Sequence, residues 1–322
     1  MNRDLRIGII GAANERHCKY MAREIERQGA LPVILDNAPN LPFPLTMFSG
    51  GKEYDVHYQK SPLENIDVFF LRALFIPTPA IDTESIQQQI EEDGYVAIAA
   101  QRERYATWLA WLKNMPLQGK LLVNPVDTLL LHFAKPFQLE SLRRAGLPIP
   151  KTLITGDGEQ VLEFSRHRDV VYKPVAGGAL CRLLSSEDKT KERLETLAHA
   201  PVLFQEYISG KDIRVFILDG EVIAAFEIAG GETDYREGET TLIPIRISDT
   251  IASFCILACR TLGLIFSGVD LKLCTDGSVV LIECNPSPMF EGFDRKAPVS
   301  IVSQLTQYLI RKARTTKQAV IR

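Results

Sequence analysis

The chain has 322 residues, 46% of them hydrophobic and 24% charged, which is enough for two or three domains rather than one. A net charge of −3 excludes nucleic-acid binding through a broad basic surface. No run approaches the ~18 uninterrupted apolar residues of a membrane span, and the first residues lead straight into a strand, so a cytoplasmic protein with no membrane partner is expected.

An alternating pattern opens the chain, with a strand over residues 6–10, a helix over 15–28, a strand over 31–35 and another over 66–71. The Pro- and Gly-rich stretch 39–60 reads as loop, with 54–58 as a short strand. A helix is expected over about 82–115, with a break near Gly94, carrying Tyr105, Trp108, Leu109 and Leu112 at helical spacing toward a core. Gly8 and Gly11 with Asp36 superficially suggest a dinucleotide site, but the spacing is not GxGxxG. With Gly8 inside the strand only Gly11 can turn the chain, so a nicotinamide or flavin cofactor is not expected.

Farther along, Lys135-Pro136-Phe137 opens a helix with proline in its first turn, and Gly146-Leu147-Pro148 ends it after Arg144. A cation at a helix start opposes the macrodipole by roughly 0.3–1 kcal/mol, so a bound anion would be a reason to keep Lys135 there. Taken alone, Lys135 equally fits a solvated surface residue. The apolar strand 169–174 ends in Lys173-Pro174 and runs into a loop of small residues containing Gly177 and Gly178. Such a loop lets backbone amides approach phosphate oxygens closely, or it simply turns a hairpin.

Next, a strand over 202–208 breaks at Ser209-Gly210 and resumes over 212–218, and Asp219-Gly220 turns it back into 221–226. Alternation sets Asp212 and Arg214 on one face and Ile213, Val215 and Ile217 on the other. The two polar residues either face a cleft or form a salt bridge with each other. Near the end, Gly268-Val269-Asp270-Leu271-Lys272-Leu273 and a strand over 279–286 flank the turn residues 275–278, so a hairpin brings Asp270 beside Glu283 and Asn285. Carboxylates placed together in this way call for a hard divalent cation. The six cysteines include no CxxC pair and the five histidines are scattered, so reduced thiols are expected and neither a zinc ribbon nor a histidine metal site.

Taken in order, Lys135, Tyr172-Lys173-Pro174 with Gly177-Gly178, Gln205-Glu206-Tyr207-Ile208, Asp212-Ile213-Arg214, Gly268-Val269-Asp270 and Glu283-Cys284-Asn285-Pro286 closely resemble the ATP-grasp ligases, and among them the RimK-like branch of the ribosomal-protein S6 glutamate ligase. The resemblance implies a mixed α/β and α+β, ATP-grasp fold. It consists of an N-terminal Rossmann-like (pre-ATP-grasp) domain over 1–120, a central lid lobe over 121–203 and a C-terminal metal-binding lobe over 204–322, the two lobes clamping ATP. It further implies that Lys135, Lys173 and the loop at Gly177 and Gly178 meet the nucleotide phosphates, that Glu206, Tyr207 and Ile208 bind adenine largely through backbone groups, and that Asp212 lies near the ribose. Arg214 matches an arginine facing the γ-phosphate and the acyl phosphate, and Asp270, Glu283 and Asn285 match ligands of Mg²⁺, with Mn²⁺ as a substitute.

The activity implied is an ATP-dependent carboxylate–amine ligase working through an acyl phosphate on an amino acid, a peptide or the end of a peptide or protein. A carboxylate kinase, a ligase of another nucleophile, and an ATP-binding regulatory module without turnover are the alternatives. Retention of the three metal positions and Arg214 speaks against the last. The chain departs from the family in its compact loop after Pro174 and in the stretch 229–247, where Arg236, and less strongly Arg246, either contact the acyl or acyl-phosphate group or are surface charge. Residues 287–290 would border the amine side or serve in packing, and Arg72 would meet a carboxylate substrate. Similar ligases are often homo-oligomers, so that state is admitted by analogy.

Overall fold

A computed structural model of the chain describes residues 5–38, 41–51, 53–74, 88, 91–92, 94–176, 181–230 and 241–320. The chain forms two compact units. The first comprises Met1–Val126, Met289–Asp294 and Ser300–Arg322, and the second Asp127–Pro288 and Arg295–Val299. Among the described residues no helix is long and apolar enough to cross a membrane.

In the first unit, β1 (Arg6–Ile10) is followed by helix α1 (Arg16–Arg27) and β2 (Leu31–Leu35). Residues expected to be loop form β3 (Leu45–Gly50), which pairs antiparallel with β4 (Glu53–Tyr58), the short strand expected over 54–58, and β4 pairs in turn with β5 (Ser61–Pro62). Only Leu45, Val56 and Tyr58 of this small sheet are buried, so its sequence carries too little apolar alternation to announce β3. Then come β6 (Val68–Leu71), helix α2 (Tyr95–Asn114) and β7 (Leu121–Val123). The parallel sheet has the order β2-β1-β6-β7. Helix α2 starts just after Gly94, where the break was expected, and buries Trp108, Trp111 and Leu112; most of the expected stretch 82–93 lies outside the described residues. Gly8 owes its identity to packing, because a Cβ there would sit 2.1 Å from the Phe69 ring.

The terminal helix, Ile301–Val320, also belongs to this unit. Its buried stripe of Ile301, Leu305, Tyr308, Leu309 and Ala313 repeats at helical spacing, and the helix packs on α1, β1 and β6. The division at 204–322 placed these residues with the C-terminal lobe. The apolar stripe instead covers a face of the parallel sheet, which would otherwise be left in water.

The second unit holds two antiparallel sheets. Helix α3 (Lys135–Arg144) precedes β8 (Thr152–Thr155), helix α4 (Gly158–Phe164), β9 (Val170–Pro174), β10 (Arg182–Leu183) and β11 (Val202–Glu206). These strands form a sheet of order β10-β9-β11-β8 over a small core of Val161, Val170 and Phe204. The larger sheet, β14-β13-β12-β15-β16, is built from β12 (Lys211–Leu218), β13 (Glu221–Ala229), β14 (Thr241–Pro244), β15 (Phe266–Leu273) and β16 (Val279–Asn285). Asp219 and Gly220 join β12 to β13 with φ of 50° and 83°, the paired left-handed geometry that a two-residue hairpin turn requires. One face of the sheet, with Ile213, Val215, Ile217, Val269 and Leu271, packs on helix α5 (Asp249–Thr261) through Cys255, Ala258 and Cys259. The opposite face carries the charged residues.

A β-bulge decides which residues of β16 reach that charged face. Asp270 pairs with Glu283, but the next pair is Leu271 with Leu281, leaving Ile282 as an extra residue. Unbroken alternation would set Leu281 and Glu283 on the same side. The bulge shifts the phase, so Val279, Leu281 and Cys284 enter the core while Glu283 and Asn285 stand beside Asp270 and Gly268 on the other face.

Candidate active site

Cross-strand register places opposite charges face to face. Arg214 on β12 lies directly across from Asp270 on β15, and Asp212 across from Lys272. The Arg214 guanidinium grips both carboxylate oxygens of Asp270, through Nε to Oδ1 and through Nη2 to Oδ2 at 2.8 Å. Its side chain is only 6% exposed. Gly268 leaves the space this arginine needs, since a Cβ there would sit 3.0 Å from Arg214 Nη1 and from Pro288 Cβ. Lys272 Nζ is 2.9 Å from each carboxylate oxygen of Asp212. The salt bridge contemplated between Asp212 and Arg214 is therefore replaced by two pairs across the strands, because side chains two apart on one strand are farther separated than direct cross-strand neighbours.

Lys135, at the first turn of α3, reaches Glu283 Oε2 at 2.8 Å. Lys173, near the end of β9, is half-buried and lies in the field of Lys135, Glu283 and Asp270. Burial, together with the like charge of Lys135, lowers its pKa against the opposing pull of the carboxylates. Burial also pushes Asp270 up, and Glu283 and Asp212 add to the rise, so that Arg214 only partly restores it. Glu283 goes the other way: burial raises it, but the Lys135 and Lys173 ammonium groups outweigh that and hold it below the usual carboxylate range. Asn285 Oδ1 accepts from the Ser287 amide at 2.9 Å, which fixes the side chain, and Ser267 Oγ donates to the Asn285 carbonyl at 2.9 Å.

The structure thus brings together Lys135, Lys173, Arg214, Asp270, Glu283 and Asn285, all named from the sequence, and adds Lys272. Its place on the Gly268, Asp270, Lys272 face was legible from alternation; its pairing with Asp212 was not. Glu206 and Tyr207 form the exit of β11, where the Glu206 and Tyr207 amides donate to the Lys151 and Asp169 carbonyls and Glu206 Oε1 accepts from the Lys151 amide at 2.8 Å. Ile208 follows, half-buried. Gly177, Gly178 and Arg236 lie outside the described residues. Arg246 is exposed beyond β14. Two further residues named from the sequence lie within the first unit, and Phe290 there takes the packing role that was one of its two readings. Arg72 is paired with Glu15 at 3.1 Å, and Phe290 is fully buried with its ring 5.2 Å from His17, which makes it a packing residue.

Among the described residues no three His, Cys, Asp or Glu side chains cluster as a metal cage. Two carboxylates and one amide are what the charged face offers, all hard oxygen donors. That set suits Mg²⁺, which binds through one or two carboxylates together with substrate phosphates rather than in an all-protein cage. Each carboxylate oxygen engaged by a lysine or arginine retains a second lone pair for a cation.

Comparison with known proteins identifies the family. The family model described as the RimK-like ATP-grasp domain matches residues 134–309. A probable alpha-L-glutamate ligase of Klebsiella pneumoniae (strain 342) is 30% identical over 221 residues, covering 63% of this chain and 72% of the relative. N-acetylaspartylglutamate synthase A of Homo sapiens is 28% identical over 234 residues, covering 65% and 58%. The solved ATP-grasp ligase PsnB, complexed with a phosphomimetic variant of a minimal precursor, Mg and ADP, aligns with a TM-score of 0.85 at 33% identity, covering 97% of this chain and all of that one. The macrocyclase MdnC of Microcystis aeruginosa MRC, bound with precursor peptide MdnA, aligns with a TM-score of 0.76 at 18% identity over 95% of this chain and 100% of that chain, a likeness of fold.

Proposed function

Because the chain belongs to the RimK-like ATP-grasp family, we propose that it is an ATP- and Mg²⁺-dependent ligase that activates a peptide carboxylate as an acyl phosphate and joins it to an amine. A peptide substrate is supported by PsnB, solved with precursor peptide PsnA2 and AMPPNP and 31% identical over 97% of this chain. The observation that carries the reading is the convergence of Lys135, Lys173 and Arg214 on the face where Asp270, Glu283 and Asn285 meet.

Phosphoryl transfer asks for positioning and charge neutralisation more than for covalent help. In this assignment Lys135 and Lys173 hold the nucleotide phosphates, with the loop at Gly177 and Gly178 supplying amides. Lys173 is suited to the role because burial makes its ammonium poorly hydrated, so that a phosphate oxygen is a strong partner for it. With the Glu206 and Tyr207 amides engaged in the fold, adenine recognition falls to the other groups of the stretch through Ile208. Asp212, oriented by Lys272, receives the ribose.

Asp270, Glu283 and Asn285 would hold Mg²⁺, which supplies neutralisation of phosphate charge when bound. Arg214, fixed by Asp270, faces the phosphoryl group in flight, and Arg236 contacts the acyl group. The substrate carboxylate oxygen attacks the γ-phosphorus and ADP leaves. An amine nitrogen then attacks the acyl carbon, phosphate departs, and the amine loses its proton. No enzyme nucleophile is needed, because the second substrate brings its own.

The reading is tested by incubating the protein with ATP, Mg²⁺ and acidic peptides, with and without an amine. ADP release that needs both substrates, with a product lighter by one water than their sum, is expected. ADP formed with the acid alone would mark a carboxylate kinase, and nucleotide binding without ADP would mark a regulatory module. An ester product would replace the amine by a hydroxyl.

A further inference from the structure

Strand β16 is the edge of its sheet, so backbone groups turned away from β15 need partners from elsewhere. They find them on both sides of the bulge. Before it, the Leu281 amide donates to the Pro148 carbonyl at 2.8 Å. After it, the side-chain amide of Gln138 makes a double contact with Cys284: Oε1 accepts from the Cys284 amide at 2.8 Å, and Nε2 donates to the Cys284 carbonyl at 3.0 Å. Gln138 is 2% exposed and Cys284 fully buried, so water does not compete. The glutamine stands in for one residue of a missing neighbouring strand.

Its place in the chain gives that contact a consequence. Cys284 lies between Glu283 and Asn285, and the two peptide planes held by Gln138 are those that set the direction of both side chains. Gln138 also sits one turn after Lys135 on α3, and Lys135 reaches Glu283 from the same helix. Only a side chain with a donor and a good acceptor at this reach can satisfy both groups; ionised glutamate lacks the donor, and methionine has no donor and only a weakly accepting sulfur.

We propose that Gln138 is a positioning residue that locks the bulged end of β16 so that Glu283 and Asn285 present their oxygens together to a divalent cation. This rests on the reading of those two residues as metal ligands. Groups that orient metal ligands commonly matter to affinity nearly as much as the ligands do.

The test uses the full chain, Mn²⁺ as a paramagnetic probe and ADP as the nucleotide. Mn²⁺ affinity is read by electron paramagnetic resonance, and exchange of the Cys284 amide by hydrogen–deuterium exchange. Gln138→Met and Gln138→Glu are expected to weaken Mn²⁺ binding roughly tenfold to a hundredfold and to leave metal-free ADP binding unchanged, and Gln138→Met, which removes the acceptor of the Cys284 amide, is expected to speed exchange there as well. Should Gln138→Met fail to fold, Gln138→Glu keeps the volume and the bond from the Cys284 amide while losing the one to its carbonyl, and carries the test through Mn²⁺ affinity. In Gln138→Met, faster exchange with unaltered Mn²⁺ affinity would overturn the proposal by leaving Gln138 a purely structural role, and unaltered exchange would overturn it as well; in Gln138→Glu, unaltered Mn²⁺ affinity would do so. Glu283→Gln separates the two levels. If it weakens Mn²⁺ binding while the Gln138 variants do not, the positioning role alone falls. If it leaves Mn²⁺ binding intact, the metal reading falls and the proposal with it.

Discussion

Two aspartates show how differently the two units use a carboxylate. In the first unit Asp294 accepts hydrogen bonds from Tyr20 Oη, from Ser300 Oγ at 3.2 Å, and from the Ile301 and Val302 amides that open the terminal helix. Its partners are neutral, and they serve the fold. Burial and the Asp294 charge push the Tyr20 phenol up, which keeps it a donor. In the second unit Asp270 has Arg214 for a partner but faces Glu283 and Asp212 as well, and burial drives its pKa upward. One carboxylate is satisfied where it stands, whereas the other belongs to a cluster of charges of both signs gathered from different strands. Perturbed groups converging from different strands mark a site; saturated groups mark a joint.

The comparison is broken most severely if Asp270→Asn leaves turnover intact. That substitution is expected to lower the rate of ADP formation by roughly 10²–10³ or more, the scale seen when an electrostatic stabiliser is lost, while the melting temperature holds. Steady-state ADP release and calorimetry measure the two effects.

Glu15 sharpens the contrast from the side of the first unit. Burial raises its pKa, but the His17 ring, whose Nδ1 lies 3.3 Å from Glu15 Oε1, the Arg72 charge and the Cys18 amide outweigh that and bring it from 4.5 to about 2. A depressed carboxyl pKa contributes stability that is full above the unfolded value and is lost as pH falls toward the folded one. A shift of this size is worth up to ~3 kcal/mol, so acid unfolding between pH 4.5 and 2 should lose steepness in Glu15→Gln. An unchanged pH dependence would deny the Glu15 pair its structural role.

Asp294→Ala should lower stability by roughly 1–3 kcal/mol through the donors it strands. Once the variant is folded, its kcat should match the parent; a specific fall in kcat would blur the division between joint and site.

Lys173→Met provides the finest probe. Nucleotide affinity should drop roughly tenfold or more, or ~1.4 kcal/mol and upward, as titration calorimetry would read. Stability without nucleotide should rise at neutral pH. Because the folded pKa of Lys173 is lowered, its penalty is fully present below that pKa and vanishes as pH climbs past the ordinary lysine value. The gain from methionine should therefore fade in alkali; a gain that persists there would contradict the assigned burial effect.

Much of the charged face was legible in the sequence, because a two-residue period assigns Asp212 with Arg214 and Glu283 with Asn285, and the 275–278 turn supplies the hairpin that joins the carboxylates. The bulge at Ile282 was not, since nothing in the run 279–285 signals a phase shift; the apolar Leu281 and the acidic Glu283 would share a face were the strand regular. Gln138 was hidden for a related reason. Its partner is backbone 146 residues away, and a side chain that completes a sheet edge leaves no local pattern. The terminal helix displayed its apolar stripe plainly, but periodicity says that a face is buried and not what buries it. The strand 45–50 was obscured by its weak alternation and by the glycines around its turn.

The central claim is that the oxygens of Asp270, Glu283 and Asn285 bind nucleotide through a shared divalent cation. Calorimetric titration of the full chain with AMPPNP, with and without Mg²⁺, tests it most directly when run in parallel on Asp270→Asn. Mg²⁺ should tighten binding to the parent, and that gain should disappear in the variant while metal-free affinity is retained. An equal gain in both proteins would contradict the account.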